Sequence, residues 1–440
     1  MRLHRLIPII VFVTLFTFQT EGLCDEGRKP LAKWTCILYL AGDNFLDWFT
    51  VQSLEEMRAV GSSYDVRVVV LLDRTDRRGH LYEVRKNYLV SLPLEAVSPG
   101  WKGDRELNTG DPETLSTFAS WAVENLPAEN YFISLGGYGE GWRGLLHDMN
   151  NGSDKVDILG IDEMEEALTR ITKSIKKTNG KDFIDILGLD ACYMGMAEVL
   201  YQVGDTARYV IVSENEEALG GWPYDKVLEA FIRGPDRPAR ELASSVVDAY
   251  VNQVRNEKAV KKDNMRTASL IDMKGFKKLV PGLEALALEL SGMLPREIRK
   301  MIVADRLTCT FNVSAHIAGR YVPYSVHYDL GEFLKALMFT FSDGDPALCA
   351  KAENAMKALS GAVIKERHQE VAGRRLTLSG LTIYSMGAEV EDYAKLPFPR
   401  DTGWGRFVQA KLKPLEKAIG KKEKKKKEKK KGRGKNKKSR

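Results

Sequence analysis

Apolar runs of strand length, separated by segments of helix length, recur through the first 260 residues of the chain. They cover residues 34–44, 65–73, 131–135, 184–190 and 208–213. These runs are too continuously apolar for strands with one wet face, which indicates strands buried on both faces, as in a parallel sheet. Helices that alternate with such strands cover both faces of the sheet. The sequence therefore predicts an α/β fold with a mostly parallel sheet flanked by helices.

One of these predicted strands stops next to a cysteine. The run 184–190 is followed closely by Cys192, and the pattern after it predicts a helix from Met194 to Val203. Because ligands of open α/β sheets bind beyond the carboxyl ends of the strands, Cys192 lies where chemistry is expected. A helix N-terminus beside the thiol would favour the thiolate. The alternative is a buried cysteine that acts as a small apolar side chain.

The beginning of the chain is typical of an exported protein. Residues 1–23 combine basic residues, an apolar segment from Leu6 to Phe18 and small residues near Gly22, which predicts a secretory signal peptide. Cys24 follows directly, so a lipoprotein anchored through this cysteine is the alternative to a freely secreted protein. In either case we expect the protein to be exported, secreted or associated with the cell envelope.

The end of the chain carries an excess of positive charge. Residues 421–440 hold twelve Lys, two Arg and two Glu, a net charge of +12, so with the whole chain at +6 the preceding 420 residues are at −6. A run of like charges is predicted to be disordered. We expect the lysine-rich tail, residues 420–440, to solubilise the protein or to contact an anionic surface. No aromatic residue interrupts it, so no specific nucleic-acid binding is expected.

Glycines dominate the segment after the predicted strand at 131–135. Four of them fall between Gly136 and Gly141 and allow a sharp turn and a close approach to another segment. Neither a GxGxxG nor a GxxxxGK[ST] pattern is present, which argues against a phosphate site. Residues 148–160, further on, are polar and predict an exposed loop. From residue 263 the pattern changes to mixed helices and strands, an α+β portion.

Six segments carry a resemblance to a known family, and they occur in a characteristic order. They are Trp34–Asn44, Gly139–Trp142, Asp190–Gly195, Ser213–Glu214 with Gly221–Tyr224, Tyr328–Phe333 and Gly380–Tyr384. Together they resemble the clostripain family of cysteine peptidases, which have a caspase-like fold. The predicted organisation is then a signal peptide at 1–23, a caspase-like peptidase core at 30–262, a C-terminal α+β portion at 263–415 and the tail at 420–440.

The resemblance implies a catalytic cysteine and histidine at the ends of neighbouring strands. Cys192 matches the nucleophile, whereas Tyr138 occupies the position that matches the histidine base. Tyrosine has a reference pKa of about 10 and is a poor base near pH 7. Loss of a general acid–base residue typically lowers a rate by ~10²–10⁴-fold. His147 is a substitute base if its loop folds back toward Cys192; the alternative is an ordinary, partly exposed histidine.

The resemblance also implies a pocket for an Arg or Lys side chain before the scissile bond. Asp190 matches the carboxylate that pairs with this side chain and lies two residues before Cys192, on the same side of the strand. The alternative is that Asp190 caps the following helix. Ser213 and Glu214 are expected to line the same pocket, and Gly139 to belong to the oxyanion loop.

No cofactor or metal is expected from the residue patterns themselves. The resemblance allows a calcium ion, since some family members depend on calcium, but the acidic loops show no EF-hand pattern. Related enzymes are often activated by cleavage between the two catalytic residues, and Lys155 lies in the corresponding stretch, 148–160. The expected partner is a polypeptide substrate or a basic peptide ligand, bound by a monomer.

Two functions follow from this pattern. The first is a clostripain-like homologue with weak or no turnover that keeps a cleft for peptides containing Arg or Lys. The alternative is an active cysteine endopeptidase that cleaves after Arg or Lys, with Cys192 as nucleophile and a substitute base such as His147. The presence of tyrosine at position 138 favours the first, and the Asp-x-Cys motif at 190–192 supports retained function.

Overall fold

A computed structural model describes most of the chain between residues 31 and 413. The described ranges are 31–76, 78–102, 106–150, 155–253, 265–294, 296–317, 320–371 and 376–413. The predicted signal peptide, Cys24 and the lysine-rich tail lie outside the described residues. Among the helices within these ranges, none is long and apolar enough to cross a membrane.

The strands alternate with helices in the order that the sequence predicts. The strands are β1 (Ala32–Gly42), β2 (Val66–Arg74), β3 (Arg78–Arg85), β4 (Tyr88–Leu92), β5 (Ala128–Gly136), β6 (Leu145–Asp148), β7 (Asp157–Leu159), β8 (Ile184–Asp190), β9 (Ala207–Val212), β10 (Thr267–Asp272), β11 (Thr310–Ile317), β12 (Arg320–Asp329), β13 (Val363–His368) and β14 (Thr382–Gly387). The helices are α1 (Asp47–Val60), α2 (Pro112–Asn125), α3 (Ile161–Asn179), α4 (Ala197–Val203), α5 (Tyr224–Arg233), α6 (Ala239–Val251), α7 (Met273–Met293), α8 (Ile298–Leu307), α9 (Leu330–Phe341), α10 (Pro346–Ala362), α11 (Val390–Tyr393) and α12 (Pro397–Asp401). Residues 404–413 are helical as well.

A nine-stranded sheet forms the centre of the described residues. Its strand order is β13-β10-β9-β8-β5-β1-β2-β3-β4. The five middle strands, from β9 to β2, run parallel, and the strands on either side are antiparallel to their neighbours. The predicted α/β fold, with a large and mainly parallel sheet flanked by helices, is confirmed.

The central strands of this sheet are buried on both faces, which explains their apolar runs. Along β1, Ile37 and Tyr39 pack into one core with α2, α3 and α4, whereas Cys36 and Leu38 pack into a second core with α1, α5 and α6. Successive side chains of a strand point to opposite faces. A strand covered on both faces therefore needs apolar residues at nearly every position.

The predicted C-terminal α+β portion is joined to the predicted peptidase core through the sheet. It supplies β10 and β13 to one side of the nine-stranded sheet. Its other strands form a separate antiparallel sheet in the order β11-β12-β14. This small sheet contacts the segment after Cys192, because the Thr382 amide donates to the Gly195 carbonyl at 2.7 Å. The boundaries of this portion, 263–415, stay a prediction.

Candidate active site

Three neighbouring parallel strands end at the same edge of the sheet. In the order β8, β5, β1 they are directly paired, and each is followed within two residues by a polar or reactive side chain. Cys192 follows β8, Tyr138 follows β5 and Asp43 follows β1. Since the carboxyl ends of parallel strands meet at one edge, the topology brings these residues together.

A pocket of about 360 Å³ opens at this edge, and we call it the edge pocket. Its lining includes Cys192, Tyr138, Asp190, Phe45, Glu217 and Leu219. Phe45 and Leu219 are 61% and 57% exposed, so the pocket has an apolar rim open to solvent. The structure therefore brings together the predicted nucleophile, the residue at position 138 and the predicted pocket carboxylate.

The Cys192 thiol is neutral near pH 7 in this environment. Burial raises the pKa of Cys192 to about 12, and the negative charges of Glu216 and Asp190 act in the same direction. The Glu217 amide donates to Sγ at 3.2 Å and offsets part of this effect. The prediction of a thiolate beside a helix N-terminus is wrong, because α4 begins only at Ala197, three residues later than expected.

A strained turn separates Cys192 from that helix. Tyr193 has a φ of 62°, a conformation that a bulky residue rarely adopts. Long-range contacts hold it there: the Tyr193 amide donates to the Asn215 carbonyl at 3.1 Å, and its hydroxyl donates to the Asn312 carbonyl at 3.0 Å. Strain of this kind persists where the surrounding structure over-determines it, and it clusters at functional sites.

Gly139, the predicted oxyanion-loop residue, packs directly on the backbone of this turn. A Cβ at position 139 would lie 2.5 Å from the Cys192 carbonyl oxygen and 2.9 Å from the Cys192 amide nitrogen. Only a residue without a side chain permits this approach. The glycine-rich segment predicted to turn sharply thus serves to bring the Tyr138 loop, residues 136–147, against the nucleophile turn, residues 190–195.

Tyr138 is held in an aromatic environment that keeps its hydroxyl protonated. Burial raises the pKa of Tyr138 to about 12, with further contributions from Glu140 and Cys192. Its ring lies 5.4 Å from the ring of Phe45 and 4.4 Å from that of His147, centroid to centroid, both edge-on. At neutral pH this side chain is an uncharged phenol, so it is a poor base and carries no positive charge that would stabilise a thiolate.

His147 contacts Tyr138 but is not among the described residues that line the edge pocket. Its Nε2 is buried, accepts no hydrogen bond from the described residues and lies 4.0 Å from the Glu140 carboxylate. Burial lowers the pKa of His147 to about 4, and the nearby Arg143 lowers it further. The imidazole is therefore neutral near pH 7. It contacts the ring of Tyr138, which in turn lines the pocket.

Asp190 is buried and forms a carboxyl pair with the half-buried Glu217. Its Oδ2 accepts hydrogen bonds from the Tyr224 hydroxyl at 2.9 Å and from the Trp222 amide at 3.3 Å. Burial raises the pKa of the neighbouring Glu217 well above its usual range, and the Asp190 carboxylate raises it further. The pair thus retains a proton near pH 7. Asp190 does not cap the next helix, whose N-cap residue is Met196.

Ser213 and Glu214, predicted to line the pocket, are buried and are not among its described lining residues. The Ser213 carbonyl accepts the Gly195 amide at 2.7 Å, and the Ser213 hydroxyl lies 2.9 Å from Thr267 Oγ1. Burial and the charge of Asp329 raise the pKa of Glu214. These two residues contact Gly195 of the nucleophile turn, while Glu216 and Glu217 of the same loop line the pocket.

A second group of carboxylates lies at the same edge of the sheet, and no sequence motif predicts it. The acidic cluster consists of Asp43, Asp73, Glu106 and Asp148, whose oxygens lie within 4.8 Å of one another. Its members come from four separate segments, so no spacing rule could find them. Asp148 is the neighbour of His147, which places the acidic cluster beside the Tyr138 loop.

Comparison with known proteins gives one family and a set of similar structures. The model of the Clostripain family matches residues 38–405. A secreted C11 cysteine protease from Bacteroides thetaiotaomicron, bound to an irreversible peptide inhibitor, is 18% identical with a TM-score of 0.60, and the match covers 85% of this chain and 99% of that chain. An inactive zymogen C11 protease from Parabacteroides distasonis is 18% identical with a TM-score of 0.59, and 86% and 99% are covered. No curated protein matches the chain.

Proposed function

The chain belongs to the clostripain family of cysteine peptidases, and from that premise we propose that it is a member with weak or no turnover. In this proposal Cys192 stands at the nucleophile position and Tyr138 at the position of the histidine base. The protein keeps a cleft that binds polypeptides containing Arg or Lys. The observation that carries the proposal is the pairing, in one pocket, of a neutral thiol with a neutral phenol.

The acid–base properties of the two side chains support weak turnover. With a pKa of about 12, roughly one Cys192 thiol in 10⁵ is ionised at pH 7. A histidine partner would take the thiol proton and then protonate the leaving amine, whereas Tyr138 keeps its own proton near neutral pH and cannot take the thiol proton in the first step. Hydrolysis by this pair should therefore fall far below that of a cysteine–histidine dyad.

The charge and shape of the edge pocket support a basic peptide ligand. The Asp190–Glu217 pair lines the pocket and retains negative charge, since Asp190 accepts two hydrogen bonds that stabilise the carboxylate. An Arg or Lys side chain entering the pocket would form a charge-assisted hydrogen bond there. The exposed apolar rim at Phe45 and Leu219 would contact neighbouring residues of the peptide.

An active endopeptidase with His147 as base is the second candidate. One observation favours it: His147 contacts the ring of Tyr138, which lines the pocket, and its imidazole is neutral and so able to accept a proton. Its low pKa makes it a weak base. His147 is not among the described lining residues of the edge pocket, so it would have to move into the pocket to act on Cys192.

The test compares hydrolysis of an Arg reporter peptide by the wild type and by Cys192→Ala. The proposal expects a wild-type rate at or close to the background rate of Cys192→Ala, because the thiol is not activated. A wild-type rate as high as that of a cysteine–histidine peptidase, abolished by Cys192→Ala, would contradict it, and loss of that rate in His147→Ala would then identify the second candidate.

Ligand binding is tested separately with a fluorescent Arg peptide and Cys192→Ala protein. Asp190→Asn should weaken binding by about tenfold or more, because a hydrogen bond to a charged group contributes roughly 1.5–3 kcal/mol. Glu216→Gln, at an exposed carboxylate on the same rim, is the matched control and should change affinity by less than about threefold. Equal effects of the two substitutions would show that the basic side chain does not pair specifically with Asp190.

Export is proposed from the predicted signal peptide, and two of the similar structures are of secreted proteases. Lipid attachment at Cys24, contact of the lysine-rich tail with an anionic surface, cleavage near Lys155 and a monomeric state belong to the same proposal. Mass spectrometry of protein secreted by the native host would show the mature N-terminus, any lipid at Cys24 and any cut near Lys155.

A further inference from the structure

The two carboxyl groups at the edge pocket have few oxygens left for a ligand. Asp190 Oδ2 already accepts hydrogen bonds from the Tyr224 hydroxyl at 2.9 Å and from the Trp222 amide at 3.3 Å. Glu217 Oε1 accepts from the Trp222 indole at 3.4 Å. Asp190 Oδ1 and Glu217 Oε2 are buried, and the two carboxyl groups hydrogen-bond to each other. Each of the four oxygens is therefore either occupied or buried by the protein itself.

The charge of this pair still acts on a ligand in the pocket. The pair retains one proton and so carries a single negative charge, and both residues belong to the lining. An Arg or Lys side chain has N–H groups that need acceptors, and it can pair with Asp190 only in competition with Trp222 and Tyr224. A cation without N–H groups is attracted by the same charge and needs no acceptor.

Aromatic rings form another part of the pocket wall. Phe45 and Tyr138 both line the pocket, with ring centroids 5.4 Å apart and planes inclined at 76°, so the two rings form a corner. The ring of His147, which is not among the described lining residues, packs edge-on against Tyr138 at 4.4 Å and holds it in place. Phe49 and Tyr193 add two more rings to the lining. The faces of such rings attract cations, most strongly where water is excluded.

We propose that the edge pocket prefers a quaternary ammonium group, presented as a trimethylated lysine side chain of a polypeptide. The inference rests on the proposed function, since it names the kind of basic side chain that this site binds best. A trimethylammonium group carries a positive charge, has no hydrogen-bond donor and presents methyl groups to the apolar side chains of Phe45 and Leu219. Aromatic cages recognise the same group in other proteins. A polypeptide is the expected source because the chain belongs to a peptidase family.

The test measures the binding of one fluorescent peptide, prepared in four forms, to Cys192→Ala protein. The forms differ at one position, which carries Arg, Lys, trimethyl-lysine or the neutral isostere of trimethyl-lysine, in which carbon replaces the quaternary nitrogen. Trimethyl-lysine should bind roughly tenfold more tightly than Lys and than the neutral isostere, because one cation–ring contact contributes a factor of about 2 when exposed and about 30 when desolvated. Free choline, which carries the same group without a peptide, should bind more weakly than the trimethyl-lysine peptide by about tenfold or more.

Substitutions of the rings test which side chains recognise the cation. Phe45→Leu and Tyr138→Leu each remove a ring and keep an apolar side chain, and each should remove most of the preference for trimethyl-lysine over Lys. Tyr138→Phe keeps the ring and should bind like the parent protein. Tyr64→Leu is the matched control, because it removes another exposed ring, before β2 and so at the opposite edge of the sheet. Phe45 is largely exposed, so Phe45→Leu decides the question if Tyr138→Leu does not fold.

The outcomes separate this inference from the proposed function. If the Arg and Lys peptides bind and trimethyl-lysine binds no more tightly than Lys, the inference is wrong and the proposed function stands. If no charged peptide binds, both are wrong.

Three further results would overturn the inference. Equal affinity for the neutral isostere would mean that the pocket recognises apolar shape and not charge. Equal affinity for free choline would remove the polypeptide as the source of the group. An unchanged preference in Phe45→Leu, or a loss of preference in Tyr64→Leu, would place recognition of the cation outside the aromatic corner.

Discussion

The nucleophile turn and the Tyr138 loop line the same pocket and are positioned in the same way, but only one keeps a reactive group. The turn is held by bonds from the Tyr193 and Gly195 amides to Asn215 and Ser213. The loop is held by a bond from the Leu146 amide to the Tyr138 carbonyl at 2.7 Å. All these hydrogen bonds join main-chain atoms. The main-chain bond that holds the loop does not involve the side chain at position 138.

The comparison shows that a scaffold and its chemistry are specified by different atoms. Main-chain bonds and the close contact of Gly139 with Cys192 set the distance between the two segments. The side chain at position 138 then decides whether a base is available. A single substitution should therefore change the chemistry and leave the scaffold in place.

A histidine at position 138 should have the largest effect on the rate of hydrolysis, because it gives the Tyr138 loop the base that it lacks. Tyr138→His is expected to raise Cys192-dependent hydrolysis of an Arg reporter by at least ~10²-fold, the lower end of a general acid–base contribution. Tyr138→Phe, which changes the ring without adding a base, should leave the rate at background. A histidine variant no faster than the phenylalanine variant would show that the missing base is not the defect.

The protonation state of Cys192 tests the other segment, the nucleophile turn. Because burial raises its pKa to about 12, the thiolate fraction should increase about tenfold for each pH unit between 7 and 11. At pH 7, alkylation of Cys192 by iodoacetamide should be ~10³-fold slower than that of a cysteine in an unstructured peptide. Mass spectrometry of the modified residue gives both rates. Alkylation at the peptide rate would mean an activated thiol and would remove the main support for weak turnover.

A substitution that pushes the two segments apart should have the smallest effect, and this effect is on the free energy of unfolding. Gly139→Ala places a methyl group against the Cys192 backbone and should lower the free energy of unfolding by about 1–3 kcal/mol. Gly292→Ala is the control, since a Cβ there meets nothing within 4 Å and the residue lies in α7. That change should raise stability by roughly 0.5–1 kcal/mol. Urea unfolding measures both, and a Gly139→Ala protein as stable as the wild type would deny the close contact.

The fold could be predicted from sequence because each central strand satisfies a local rule. The segments 34–44, 65–73, 131–135, 184–190 and 208–213 are predominantly apolar, and all correspond to central strands of the sheet. The start of α4 could not be predicted. Its delay to Ala197 depends on Tyr193, whose conformation is fixed by partners 22 and 119 residues away along the chain.

The site was predictable only where its residues lie in one segment. Asp190 and Cys192 follow a single strand, so the end of that strand locates both of them in the pocket. Ser213 and Glu214 occur at the end of β9, and their burial depends on Thr267 and Asp329, which the sequence alone cannot bring near. The acidic cluster is the extreme case, since each of its four carboxylates comes from a different segment.

The pairing of β10 and β13 with β9 has a consequence for biosynthesis. The central sheet cannot be finished until residue 368 has been translated, so we expect a nascent chain that ends before residue 267 to present β9 as an open edge. Stalled chains of that length should need a chaperone or aggregate, whereas chains stalled beyond residue 413 should resist proteases on the ribosome.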